Sequence, residues 1–152
     1  MRYWLMKSEP DVYPLEQLRA DGKTGWTGVR NYQARNFMRD SMTIGDGVLF
    51  YLSNADPNAV VGLAEVCSAP LPDPTQFDKK SEYYDPKSKR EAPTWMMVEI
   101  KFVEAFKSPV TLAELKKTKG LEKMMLTQKG SRLSIQPVTE EEWKIVVALG
   151  RR

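Results

Sequence analysis

Gly45-Asp46-Gly47-Val48-Leu49-Phe50-Tyr51-Leu52, answered after a polar gap by Val60-Val61-Gly62-Leu63-Ala64-Glu65-Val66, is the stretch on which the fold turns. Ile44 to Gly47, with two glycines around an aspartate, reads as a turn. Val48 to Leu52 is an unbroken apolar run of strand length and reads as a buried strand. Val60 to Val66 reads as a second strand, and its internal Gly62 marks a bulge or a close approach of another backbone.

Outward from this pair, Tyr3-Trp4-Leu5-Met6 predicts a first strand that leaves into a turn at Lys7-Ser8-Glu9-Pro10. Pro14 opens a short helix carrying Leu15 and Leu18 and stopping near Gly22. Gly25 to Arg30 predicts a loop, and Asn31 caps a helix with Ala34, Phe37 and Met38 on one face. Pro70 to Arg90 is polar and proline-rich, and predicts an ordered surface loop or lid. Trp95 to Phe106 is the longest strand signal, Met97, Glu99 and Lys101 alternating with Val98, Ile100 and Phe102. Thr111 to Glu114 and Thr139 to Glu142 are capping boxes, the second opening a helix with Trp143, Val146 and Val147. Between them Leu133 to Val138 predicts another strand. With no repeat and no linker, the expectation is one α+β domain over 1–152. About five or six mixed strands would curve into a partly closed barrel with short helices at its ends.

Composition narrows the chemistry. The 152 residues include no histidine, which removes Ser-His-Asp and Cys-His catalysis, histidine metal ligation and the usual base near neutral pH. The one cysteine, Cys67, has no partner for an internal disulfide and no metal-ligand spacing around it, and reads as a small buried apolar residue. No cofactor, metal or membrane partner is expected, and the short apolar run at the N-terminus is neither a secretory leader nor a membrane span. A cytoplasmic location follows, on the nucleoid in a bacterium or in the nucleus of a eukaryote. A net charge of +3 permits phosphate binding without demonstrating it.

Acid pairs at Glu9 and Asp11 and at Glu140 to Glu142 are explained by a turn and a helix N-terminus. A Lys7–Ser8 dyad is disfavoured because neighbours on a strand face opposite ways. No catalytic residue is therefore expected. Trp26 is different: it sits in a loop between glycines, where its indole face could stack on a planar base. The Asn31 amide carries donor and acceptor together and can match a base edge. Arg30, Arg35 and Arg39 supply cations nearby. Rim packing, helix capping and solvation account for the same residues equally well.

Taken together, several stretches resemble the EVE domain family. These are Tyr3 to Pro10, Trp26 to Asn36, Gly45 to Asn54, Val61 to Val66, Pro72 to Asp78, Tyr83 to Pro86 and Ser131 to Val138, in one order and nearly the full length. The resemblance implies a PUA-like barrel that reads modified nucleic-acid bases, chiefly modified cytosines in DNA, with RNA second. Carried over, Trp26 would be the stacking wall, with Asn31 and Ser53 as polar contacts. Lys7, Ser8, Tyr32, Asn54, Arg132 and Ser134 would line or rim the pocket. Where the family often has histidine, this chain has Leu52, which strand alternation turns to the core.

The mechanism expected is base flipping. Cations at Arg30, Arg35, Arg39, Lys79 and Lys80 hold phosphates, the base enters the pocket, and Tyr83 and Tyr84 close over it. A separate enzyme would act as effector. The competing reading is a binder of a small metabolite or free modified nucleoside, and behind it an enzyme acting on a modified nucleotide.

Overall fold

The computed structural model describes residues 1–130 and 132–152. In chain order the elements are β1 (Tyr3–Ser8), α1 (Leu15–Asp21), β2 (Lys23–Gly25), α2 (Tyr32–Asn36), β3 (Gly47–Leu52), β4 (Ala59–Val66), β5 (Leu71–Pro72) and β6 (Met96–Met97). They continue with β7 (Glu99–Thr111), α3 (Leu112–Lys117), β8 (Ile135–Val138) and α4 (Glu140–Gly150). Six strands form one curled mixed sheet, a half-barrel, in the order β2-β7-β4-β3-β1-β8. Among the described residues, only β1 and β3 run parallel, Leu5 opposite Leu49; the other pairs are antiparallel. The expected curved α+β sheet with short helices is what forms.

Alternation along the strands separates two apolar clusters. Trp4, Met6, Val48, Phe50 and Ala64 point to one face, packing under α1, α2 and the loop that holds Trp26. Leu5, Leu49, Tyr51, Val60 and Leu63 point to the other, closed by Leu115 of α3 and by Val146 and Val147 of α4. The period of two thus buries both faces. Thr139 and Glu142 form the full reciprocal capping box at α4. At α3 only half forms, because Thr111 accepts from the Glu114 amide while the Glu114 side chain pairs with Arg152.

The glycine in β4 has a packing reason. A Cβ on Gly62 would lie 2.4 Å from the Glu104 carbonyl oxygen and 2.6 Å from Leu15. The β4–β7 register shifts beside it, between Val60 and Gly62.

Two expectations need correcting. The strand read over Trp95 to Phe106 is broken at Val98: β6 pairs with β5 in a separate two-stranded sheet, and β7 runs on to Thr111. The cause is a tertiary contact, since the Val98 carbonyl accepts the amide of distant Trp26 at 2.9 Å and so leaves the ladder. The loop read over Gly25 to Arg30 begins one residue later, because Gly25 ends β2, which pairs with Glu99 to Lys101.

Candidate functional site

The break at Val98 positions the site. By taking the Val98 carbonyl, the Trp26 backbone ties the loop after β2 to the break before β7, and that loop and the end of β1 line one cavity. Between them lies a cavity of about 370 Å³, inside the range of about 300–1,000 Å³ usual for ligand sites. One wall is Lys7, Ser8 and Glu9 at the end of β1, continued by Val12 and Tyr13. The opposite wall is the backbone and side chains from Thr24 to Arg30. Tyr83 and Ser134 complete it from distant parts of the chain.

Trp26 is 9% exposed, so most of its indole is core and one part meets the cavity. It packs edge-on against Phe50 at 5.9 Å and Tyr13 at 6.5 Å between ring centres. Such contacts fix the ring plane before any ligand arrives. Burial lowers the Lys7 ammonium below its ordinary pKa, because the charged form has lost water. The Ser8 hydroxyl donates to the Tyr13 carbonyl at 2.6 Å and holds the turn that carries Tyr13.

The outer wall is clamped by one carboxylate. Asp73, 1% exposed, accepts from the Gly28 amide at 2.8 Å and from Arg30 at 3.1 Å. It also accepts from the Thr75 amide and hydroxyl at 2.8 and 2.6 Å. Burial alone would raise its pKa, but the hydrogen bonds from Thr75, Gly28 and Arg30 outweigh that and hold it below the ordinary 3.8. Gly28 has φ of +83°, and a Cβ there would meet the Tyr83 ring at 2.8 Å, so two constraints demand glycine. Arg30 also donates to the Tyr83 carbonyl at 2.8 Å and lies over the rings of Tyr83 and Trp95. Fully buried Gln76 bonds the Asp73 and Trp95 carbonyls and the Trp95 amide, so residues 70–95 form a braced wall.

The structure brings together Trp26, Lys7, Ser8 and Ser134 of the pocket residues expected from sequence. It places Asn31 at the N-cap of α2, where its side-chain oxygen accepts from the Ala34 amide at 3.0 Å, outside the cavity lining. Tyr32 is 60% exposed and stacks on Trp95 at 4.9 Å, also away from the lining. Ser53 and Asn54 stand one layer behind: the Ser53 hydroxyl donates to the Ser8 carbonyl, and the Asn54 amide donates to the Glu9 carboxylate. Arg132 is exposed next to Leu133 and Ser134, and Ser131 lies outside the described residues. Leu52 packs against the cluster that contains Trp26.

Of the expected phosphate contacts, Arg30 lines the cavity but is engaged with Asp73, Thr75 and Tyr83. Arg35 donates to the Thr94 carbonyl at 2.7 Å and lies over Tyr32 and Trp95. Arg39 pairs with Asp40 at the surface, and Lys79 and Lys80 are exposed. Sequence reasoning missed Glu9, Tyr13 and Thr24 as wall residues. The signal for Glu9 and Tyr13 was present in the tight turn after β1, whose Glu9 carbonyl accepts from both Val12 and Tyr13. Among the described residues no group of three or more acids or cysteines could hold a metal, and no helix is long and apolar enough to cross a membrane.

The family model of the EVE domain matches residues 2–149. Human thymocyte nuclear protein 1 is 42% identical over 97% of this chain and 73% of its own. A crystal structure of human THYN1 protein in complex with 5-methylcytosine containing DNA superposes with a TM-score of 0.91 at 41% identity, covering 100% of this chain and 99% of that one. A crystal structure of a protein from Pseudomonas putida gives a TM-score of 0.92 at 46% identity, covering 97% and 98%.

Proposed function

The chain belongs to the EVE domain family, and from that premise we propose that it binds DNA carrying a modified base. The flipped-out base, a modified cytosine foremost, enters the Trp26 cavity and is held there without being chemically changed. The observation that carries this is the fixed indole of Trp26 at the wall of a ligand-sized cavity. The 41% identical relative solved with 5-methylcytosine DNA supports the choice of base.

Taking a base out of the stack costs a few kcal/mol, and stacking on an aromatic ring returns about 1–3 kcal/mol per base. The rest must come from polar groups satisfied by the right base and left unpaired by the wrong one. Lys7, Glu9 and Ser134 supply such groups, and Asn54 and Ser53 hold the wall behind them. Asn31 and Tyr32 act by shaping α2 and the Trp95 stack. Tyr83 covers the mouth, with Tyr84 beside it. Arg30 and Arg35 brace the wall, so phosphates fall to Arg39, Lys79, Lys80 and Arg132.

A larger cationic surface adds to these. Residues 116–132 hold six Lys and Arg against one acid, Glu122, while the rest of the chain holds seventeen cations against nineteen acids. Lys116, Lys117, Lys119, Lys123 and Lys129 are all exposed. The segment is fixed by buried Leu121, Met124 and Leu126 and leads into Ser134 at the cavity. It suits a DNA backbone leaving the flipped base.

The test is a titration of oligonucleotides carrying cytosine, 5-methylcytosine, 5-hydroxymethylcytosine or N6-methyladenine against wild type and Trp26→Ala. A preference for a modified cytosine that Trp26→Ala loses at least tenfold is expected. Equal affinity for all four bases, or an undiminished preference in a folded Trp26→Ala, overturns the reading.

A further inference from the structure

The cavity wall contains one side chain that can only accept hydrogen bonds. Of the lining side chains, Glu9 is the single carboxylate; the others are apolar, hydroxyl-bearing or cationic. Its position is set twice. The Glu9 carbonyl accepts from the Val12 and Tyr13 amides at 3.0 and 2.9 Å, which fixes the turn after β1. The Asn54 amide donates to one carboxylate oxygen, Asn54 itself standing in the left-handed region at φ of +49°. A carboxylate offers about four acceptor sites on its two oxygens, so this bond orients the group and leaves acceptor capacity. The Glu9 charge also reaches the Tyr83 hydroxyl; it is the last of the contributions raising that pKa, after burial and Glu82.

We propose that Glu9 is the residue by which the cavity tells a cytosine-type base from a thymine-type base, its carboxylate accepting the exocyclic 4-amino group. This rests on the reading of the cavity given above. Cytosine presents an N–H donor at position 4, which a carboxylate matches. Thymine presents a carbonyl oxygen there, so acceptor would face acceptor and neither would gain a partner. Lys7, a donor in the same wall, suits the ring acceptors N3 and O2 of cytosine. The consequence is chemical: 5-methylcytosine and thymine carry the same methyl group and differ at position 4. A pocket that recognised only the methyl group and the ring would bind both. A Glu9 acceptor makes the site release or refuse the base that deamination of 5-methylcytosine creates.

The experiment compares one oligonucleotide with cytosine, 5-methylcytosine, thymine or 5-methylpyrimidin-2-one, which lacks the 4-amino group, at a single position. Wild type should bind 5-methylcytosine at least tenfold more tightly than thymine, and about tenfold more tightly than 5-methylpyrimidin-2-one, the scale of one charge-assisted contact to a base edge. In Glu9→Gln the amide can present either its N–H or its oxygen, so the ratio for 5-methylcytosine over thymine should fall towards one while that over cytosine persists. An unchanged thymine ratio in Glu9→Gln, or wild-type affinity for 5-methylpyrimidin-2-one equal to that for 5-methylcytosine, overturns the role of Glu9 and leaves the base-binding reading intact. The 5-methylpyrimidin-2-one arm needs no variant, so a Glu9→Gln protein that failed to fold would not protect the proposal. Wild type with no preference for 5-methylcytosine over cytosine removes the base-binding reading itself.

Discussion

The face of the sheet under α3 and α4 and the face that carries the cavity each bury an apolar cluster, and they are closed by different means. Under α3 and α4, Leu49, Leu115 and Val146 are fully buried and Leu63 is 3% exposed, in a cluster of aliphatic residues with Tyr51 and Phe106. On the cavity face the apolar cluster of Trp4, Phe50 and Trp26 stops at an edge, and beyond it buried Asp73, Gln76 and half-buried Arg30 hold the wall by hydrogen bonds. Apolar contact is non-directional and closes a surface. Hydrogen bonds have direction, so they can hold a wall open at a fixed distance from the sheet. The cavity exists where the second kind of interaction replaces the first.

The sharpest break of this comparison is Asp73→Ala. It strands the Gly28 amide and leaves Arg30 without its ion-pair partner, so a loss of about 4 kcal/mol is expected by urea unfolding. The same carboxylate sets an acid response. Its folded pKa lies below the ordinary 3.8, so its contribution is complete above that value and is lost as pH falls through the folded pKa. Acid titration of wild type should therefore unfold the wall below about pH 4, and Asp73→Asn should flatten that limb.

Leu115→Ala, on the opposite face, should cost about 3 kcal/mol through the cavity it leaves. It should leave the affinity ratio between modified and unmodified DNA unchanged within twofold. A shifted ratio in the folded variant would show that the two faces are coupled through the sheet.

The smallest stability effect is expected from replacing Lys116, Lys117, Lys119 and Lys123 together by Gln, each exposed, for a net change within about 0.5 kcal/mol. Affinity for DNA should fall for every base alike. The slope of log K against log salt should flatten by about 0.9 for each phosphate contact removed. An unchanged slope would place the backbone elsewhere, on Arg39, Lys79 and Lys80.

Part of the cavity lining was expected from the sequence. Trp26 was singled out by its place in a glycine-flanked loop, while Lys7, Ser8 and Ser134 were expected through the family resemblance, and all four line the cavity. Asn31 shows the limit of local reading. The feature that makes it a base reader in principle, an amide with a free oxygen, is the feature that makes it an N-cap, and here the helix takes it. Arg30 and Arg35 were read as free cations because their partners, Asp73 and Thr94, lie 43 and 59 residues away.

By itself the sequence determined the curled mixed sheet and the helix starts, because these follow from periodicity and from caps within a few residues. The chain-long motif order likewise fixed the family before any coordinate was needed. Only the tertiary structure decided which polar groups face the cavity. Those choices depend on contacts between distant segments: Trp26 on Val98, Gly28 on Asp73, Glu9 beside Asn54 and Tyr83 in the cavity wall. A hydrogen bond needs its partner within about 3 Å, and nothing in a linear pattern states which distant residue will stand there.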